Sequence, residues 1–366
     1  MERRSFLRGG AAGAATAIGT TLAAPAIAQS SPEVRWRLTS SFPKSLDTLF
    51  GGAELITKRV AAMTDGKFQI RAFAAGEVVP ALQALDAVQN ETVEMAQTAS
   101  YYYVGKDPTF AFDTTLPFGP NARQQSAWMR HGGGGELMGE FFRQYNAIAF
   151  PCGNTGAQMG GWYRKELKSV DDLKGLKFRI AGFAGMVFQK LGVVPQQLPA
   201  TDIYPALEKG TIDAAEWVGP YDDEKLGIHK VAPYYYYPGF WEGQAQLSAF
   251  INVNAWNKLP ESYKAALQSA CAEALVDMQA RYDTLNPQAL RRLVAAGAQL
   301  RPFPREILAA CYKAATEIYD ETSAKNASFK KVYESWKKFR DEQFLWFRVS
   351  ENSYENFVFT AAQTVR

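Results

Sequence analysis

Thr211-Ile212-Asp213-Ala214-Ala215-Glu216-Trp217 follows a helical stretch ending at 203–208, and Thr92-Val93-Glu94-Met95-Ala96-Gln97-Thr98 follows one ending at 85–88. Each unit reads as a helix, a tight turn and a short apolar strand carrying polar residues at its carboxyl end. A pattern that occurs twice in this way predicts two similar α/β lobes. In open α/β sheets, ligands lie outside the carboxyl ends of the strands. Residues 97–103 and 216–221 are therefore expected to face each other across a cleft, one wall from each lobe.

The chain before this pair supports the reading. Val34, Trp36 and Leu38 alternate with Arg35 and Arg37 as a half-buried strand does. Leu49, Ala53, Ile56, Val60 and Met63 then form the stripe of an amphipathic helix, with Gly66 placed as its C-terminal cap. Phe68, Ile70 and Ala72 alternate again, so strand, helix and strand predict a parallel sheet. The turn-rich stretch Pro151-Cys152-Gly153-Asn154-Thr155-Gly156 reads as one crossing between lobes. A second is expected at 243–250, before a strand at 247–253, and two crossings make a hinge.

After Pro260 the sequence is helical: 261–282, stopped at Asn286-Pro287, then 288–296 and 304–324. Val332, Trp336, Phe339, Gln343 and Phe347 line one face of a further helix, with Lys337, Lys338 and Arg340 opposite. That apolar face fits packing on its own domain or on a second subunit. The expected division is 29–152 plus 243–285 for the first lobe and 153–242 plus 286–325 for the second. A C-terminal helical segment at 326–366 is open to dimer formation.

The first 28 residues read as a leader. Arg3-Arg4-Ser5-Phe6-Leu7-Arg8 is a twin-arginine start, and a weakly apolar run from Gly9 to Ala24 follows. Ala26-Ile27-Ala28 supplies the small residues that a signal peptidase needs before Gln29. The run is too short and too rich in Gly and Ala for a membrane anchor. The leader carries Arg3, Arg4 and Arg8 against Glu2, so the chain's 40 basic and 37 acidic residues become 37 and 36. A charge near balance gives no case for nucleic acid. Cys152, Cys271 and Cys311 match no zinc or haem spacing and read as buried small hydrophobes.

Catalytic constellations are sparse. His131 and His229 are the only histidines, and neither pairs with a cysteine or with a second histidine at helical spacing. His131-Gly132-Gly133-Gly134 resembles an esterase oxyanion-hole motif, but no G-x-S-x-G elbow accompanies it, so the glycines read as a turn before Glu136. Neither G-x-G-x-x-G nor a phosphate loop is present.

Binding signals are stronger. Arg179 lies in the strand-like Gly175-Leu176-Lys177-Phe178-Arg179-Ile180. Burying a guanidinium is costly unless it meets an anion, and its planar fork matches a carboxylate. A surface position on an edge strand is the plainer alternative. Glu216 leaves an apolar strand, so it is paired, protonated or bound to a hard cation. A salt bridge to Arg179 and a cation both remain open from residue types alone.

Asp171-Asp172-Leu173-Lys174-Gly175-Leu176-Lys177-Phe178-Arg179 resembles the D-L-K-G-x-K-x-R signature of the extracytoplasmic binding proteins of tripartite ATP-independent periplasmic (TRAP) transporters, the DctP type. Tyr204-Pro205-Ala206-Leu207-Glu208-Lys209-Gly210, running on to Glu216, looks like the next family block. Phe73-Ala74-Ala75-Gly76-Glu77 and Ala255-Trp256-Asn257-Lys258-Leu259-Pro260 match two more. The resemblance implies a two-lobed α/β periplasmic-binding-protein clamshell with a hinge and long C-terminal helices, and no enzyme activity. It is nearest to the 2-oxoacid subgroup, which implies a pyruvate-like monocarboxylate held with sodium, or with calcium as the alternative.

Carried over, Arg179 holds the substrate carboxylate, and Asn154, Tyr101, Tyr102, Trp217 and Gln246 also contact the substrate. Gln158 and Glu216 would be side-chain cation ligands, with Trp217 adding its backbone carbonyl. Small and large TRAP membrane subunits, and a second copy exchanging a C-terminal helix, are the implied partners. The aromatic residues Tyr234–Tyr237, Phe240 and Trp241 are not family markers and read as pocket-sizing or packing groups. The binding subunit of an ATP-driven importer, a periplasmic metal-dependent enzyme and a sensory partner are the rival readings.

Overall fold

The computed structural model describes residues 32–364; the twin-arginine segment expected over residues 1–28 lies outside the described residues. Two sheets account for the strands. The first comprises β1 (Val34–Ser40), β2 (Phe68–Phe73), β3 (Met95–Thr98), β4 (Ala147–Asn154) and β10 (Gln246–Asn252), in the order β2-β1-β3-β10-β4. The second comprises β5 (Trp162–Tyr163), β6 (Lys177–Arg179), β7 (Val194–Gln196), β8 (Ala214–Ala215), β9 (Tyr234–Tyr237) and β11 (Gln299–Pro302), in the order β11-β9-β5-β8-β6-β7.

The expected parallel core is present, since β1 pairs in parallel with β2 and β3, and β6 with β7 and β8. Neither sheet is purely parallel, however. β10 runs antiparallel to β3 and β4, and β5 antiparallel to β8 and β9. A chain that leaves one sheet for the other and later returns enters in the opposite direction, so the crossing strands break the parallel rule.

The duplicated unit is real but its strands are shorter than the sequence predicts. Strand β3 begins at Met95 and β8 at Ala214. In one unit the Thr92 amide donates to the Ala87 carbonyl at 2.8 Å; in the other, Thr211 donates to Ala206 at 3.0 Å. Residues preceding each strand are thus spent closing the helix C-terminus, where carbonyls lack intrahelical donors.

The two crossings lie side by side. Asn154 at the end of β4 is registered with Gln246 at the start of β10. Beyond this pair, Thr155 N donates to Ala245 O at 3.1 Å, Gln158 N to Glu242 O at 3.0 Å and Gly160 N to Tyr236 O at 2.7 Å. Helix Glu261–Ala295 does not stop at Asn286-Pro287 as expected. Tyr282 on one side of Pro287, and Ala289 and Leu293 on the other, are all buried. Burial along this continuous face offsets the roughly 3 kcal/mol that an internal proline costs.

The core of the first lobe packs Ile56 and Val60 of helix Leu49–Met63, and Leu267 and Ala270 of helix Glu261–Ala295, on Trp36, Leu38 and Ile70. Helices Arg305–Lys325 and Ala327–Val349 follow. Phe329 lies 4.8 Å from Phe112 and stacks 5.4 Å from Phe183, so this segment touches helices on both sides of the cleft. The stripe offered as a subunit contact is largely used inside the chain, where Val332 and Trp336 are buried. Within this segment, exposed apolar residues lie off the stripe, at Phe344, Leu345, Trp346 and Val349 and on the terminal helix Glu351–Thr364. A heptad-like spacing shows which residues share a face but not what covers it. All three cysteines are free and buried, as their residue type suggested. No helix among the described residues is long and apolar enough to cross a membrane.

Candidate functional site

Strand β6 is interior, flanked by β8 and β7, so Arg179 is not the edge arginine that one reading allowed. It is 1% exposed, as is Glu216 immediately after β8. The register Arg179↔Ala215 brings the two side chains together at the carboxyl ends of neighbouring parallel strands. The Arg179 guanidinium pairs with the Glu216 carboxylate. Nη1 also donates to the Glu216 carbonyl at 2.6 Å, and Nε donates to the Leu198 carbonyl at 3.1 Å. These bonds use Nε and Nη1 and leave Nη2 outside the set. Trp217 roofs the pair, with the guanidinium carbon 4.8 Å from its ring centroid.

The opposite wall comes from the residues after β3. Tyr101 and Tyr102 sit edge to face at 5.0 Å, and Phe42 meets Trp217 edge to face at 6.4 Å across the cleft. The Gln197 amide donates to the Tyr102 carbonyl at 3.1 Å, and the Tyr221 hydroxyl donates to Asp47 at 3.2 Å. Gly182 requires its lack of a side chain: its φ is +63°, and a Cβ there would lie 3.2 Å from the Tyr101 ring. A small cavity between the walls is lined by Phe42, Tyr101, Tyr102, Thr155, Gln158 and Trp217.

The electrostatics are unbalanced. Glu216 Oε2, Gln158 Oε1 and Glu242 Oε2 are buried acceptors without a hydrogen bond of good geometry, while the Trp241 indole and Ala181 amide lie near the Glu216 carboxyl and the Tyr101 hydroxyl near that of Glu242. Burial pushes the Glu216 carboxyl up to about 7 against the downward pull of Arg179. Burial, reinforced by the Glu216 charge, pushes Glu242 well above the ordinary carboxylate range. A hard cation would displace protons from these carboxyls, and mixed carboxylate and amide oxygens are a donor set that fits one. Among the described residues no group of three or more His, Cys, Asp or Glu side chains could hold a metal. The fit therefore rests on mixed carboxylate and amide oxygens.

The other expected contacts are placed less directly. Asn154 is buried in the crossing, where Nδ2 donates to Gln244 Oε1 at 2.7 Å and Oδ1 accepts from Gly156 N at 2.9 Å. Gln246 lies directly opposite it in the register; its Nε2 donates to Asp113 at 3.0 Å, and its Oε1 is unpaired. Neither lines the small cavity. The aromatic residues without family meaning serve as packing: Trp241 lies 5.5 Å from Phe188 and 6.1 Å from Phe178. Residue reading missed Glu242, Gln244 and Asp113. Only the abrupt placement of Glu242 and Gln244 after an aromatic run could have signalled them.

The model of the family described as bacterial extracellular solute-binding protein, family 7, matches residues 39–326. A monocarboxylate 2-oxoacid-binding periplasmic protein from Nostoc sp. is 56% identical over 326 residues, covering 89% of each chain. A TRAP transporter solute-binding protein from Bordetella bronchiseptica superposes with a TM-score of 0.90 at 54% identity, covering 92% of this chain and 100% of its own. It is a mixed-occupancy dimer with copurified calcium and picolinate in one active site. A TRAP periplasmic solute-binding protein from Pseudoalteromonas atlantica, with bound sodium and pyruvate, superposes with a TM-score of 0.86 at 39% identity, covering 88% of this chain and 99% of its own.

Proposed function

We propose that this chain, which belongs to family 7 of the bacterial extracellular solute-binding proteins, is the periplasmic binding subunit of a TRAP transporter for small 2-oxo monocarboxylates such as pyruvate. The observation that carries the reading is the buried Arg179–Glu216 pair beneath Trp217, with acceptors on Glu216 and Gln158 left unpaired. Arg179 turns its unengaged Nη2 edge to the substrate carboxylate. Glu216, Gln158 and the Trp217 carbonyl hold a cation, sodium or calcium, which neutralises the excess charge and binds the 2-oxo group.

Tyr101 and Tyr102 bring apolar area and hydroxyls from the facing lobe. Asn154 and Gln246 keep the crossings in register, and the unpaired Gln246 Oε1 is free to accept from a ligand or water. Closure about the paired crossings excludes water, which strengthens each charged contact. The lobes divide as 29–152 plus 243–285 and 153–242 plus 286–325. The closed form delivers substrate to the small and large membrane subunits, and no chemical step is needed. Residues 1–28 are removed on export, which N-terminal sequencing of the exported protein checks. The exposed face from Leu345 to Phe359 supports pairing with a second copy.

The test is calorimetric titration of the ligand-stripped mature protein with pyruvate, with and without sodium or calcium. Binding that requires the cation, and is lost in Glu216→Gln, is expected. Tight binding that ignores both removes the cation site, and absence of binding under every condition refutes the substrate class.

A further inference from the structure

Leu49 and Val218 line the small cavity from opposite walls, and residues just outside them meet at its rim. Asp47 stands in the loop that carries Phe42, held between the buried Leu46 and the helix that starts at Leu49. Facing it is helix Pro220–Leu226, which closely follows Trp217 and Val218. The Tyr221 hydroxyl donates to Asp47 Oδ2 at 3.2 Å, and the Lys225 ammonium pairs with Asp47 Oδ1. Lys225 Nζ also lies 4.1 Å from the Tyr221 ring centroid, so one helical turn aims both donors at the same carboxylate. Arg281 of helix Glu261–Ala295 completes the cluster, with Nη2 3.3 Å from Asp47 Oδ2. A Cβ at Gly51 would lie 3.1 Å from Arg281 Nη1, so this guanidinium rests on the helix that follows Asp47. Helix Pro220–Leu226 is tied instead further along the long helix. There Asn286 Oδ1 accepts from Tyr221 N at 3.0 Å, and Arg292 Nη2 donates to Glu224 Oε2 at 2.6 Å.

Opening of the cleft about the crossings would leave Asp47 with Arg281 but part it from Tyr221 and Lys225. Among the described residues, Lys225 has no ion pair other than the one with Asp47. We propose that Asp47, Tyr221 and Lys225 form a rim latch: they touch no substrate atom, yet hold the lobes shut over bound ligand and so set its rate of release. The inference rests on the binding function and the closure described under Proposed function. Asp47, Lys225 and Arg281 are all partly exposed, so each contact by itself is weak. The bonds from Tyr221 and Lys225 exist only when the lobes meet, so their whole worth falls on the balance between closed and open forms. A contact made after ligand has entered acts on dissociation and not on encounter. Charge gives the direction of the effect. Lys225 and Arg281 both face Asp47, so loss of its carboxylate leaves two like charges across the rim, which favours opening. Salt screens this partly exposed cluster, whereas the buried Arg179–Glu216 pair is screened much less.

The experiment loads the mature protein with radiolabelled pyruvate and cation, then follows release by rapid filtration during a chase with unlabelled pyruvate. Wild type, Asp47→Asn, Lys225→Met and Tyr221→Phe are compared, and thermal melts confirm folding. Stopped-flow tryptophan fluorescence reads association, since Trp217 lines the cavity. The expected result is release about 3- to 10-fold faster in Asp47→Asn and in Lys225→Met, with a smaller gain in Tyr221→Phe. Association is not slowed, and the cation requirement is kept. Raising the ionic strength from about 0.05 to 0.5 M should quicken release from wild type more than from Asp47→Asn, a readout that a merely structural role would not move. Release within about twofold of wild type in both Asp47→Asn and Lys225→Met overturns the latch and leaves the binding function standing. Should wild type bind no pyruvate at all, the latch and the function beneath it both fail. If Asp47→Asn does not fold, Lys225→Met decides by the same criterion.

Discussion

Replacing Arg179 with lysine keeps the charge but removes the fork. The native guanidinium donates to the Leu198 carbonyl at 3.1 Å and to the Glu216 carbonyl at 2.6 Å, and pairs with the Glu216 carboxylate with its carbon 4.8 Å from the Trp217 ring centroid. A lysine ammonium is a point charge with three donors and cannot hold this set while also offering a donor to a substrate carboxylate. Glu216 still keeps a cationic neighbour, so the penalty of about 3–5 kcal/mol for orphaning a buried charge is avoided. The fold should therefore survive, with a modest loss from the orphaned Leu198 carbonyl. Binding loses one charge-assisted hydrogen bond, worth about 1.5–3 kcal/mol. That corresponds to a Kd for pyruvate weaker by roughly 10- to 150-fold. Calorimetric titration with the cation present reads this directly, and a thermal melt checks the fold. A folded Arg179→Lys protein binding pyruvate within about threefold of wild type would refute the carboxylate role.

Two further outcomes are expected. Asp222 is fully buried, accepts a 2.7 Å bond from the Tyr282 hydroxyl, and is pushed by burial up to about 7. Because the folded pKa lies above the unfolded one, the folded state keeps a proton that the unfolded chain has lost. Stability therefore falls as pH rises from about 4 to about 7. Asp222→Asn should flatten that fall and be the more stable protein at pH 8, by at most about 4 kcal/mol. Parallel denaturation profiles of the two proteins against pH would contradict this. Deleting residues 351–366 removes Tyr354, Phe357 and Phe359, which are exposed within the chain, and one partly exposed ion pair between Arg123 and Glu351, worth about 0–1 kcal/mol. The melting temperature should barely change while light scattering reports a single-chain mass in place of a dimer. A single-chain mass for the intact protein refutes the pairing.

The sequence by itself determined the lobes' shared unit, because a helix closing into a short strand leaves a mark within some fifteen residues. It also marked Arg179 and Glu216, since charged residues bordering apolar strands are unusual enough to notice one at a time. Strand direction and pairing were decided by the return path of the chain, which no local pattern records. Pro287 is locally a stop signal, yet burial on both sides of it carries the helix through. Val332 and Trp336 announce an apolar face, but only the burial of both, with Phe112 and Tyr319 against Trp336, shows that this chain covers it. Glu242 lies 26 positions from Glu216 and 84 from Gln158 in the numbering. Only the paired crossings bring Gln158 and Glu242 within a backbone hydrogen bond, a contact that no local pattern records.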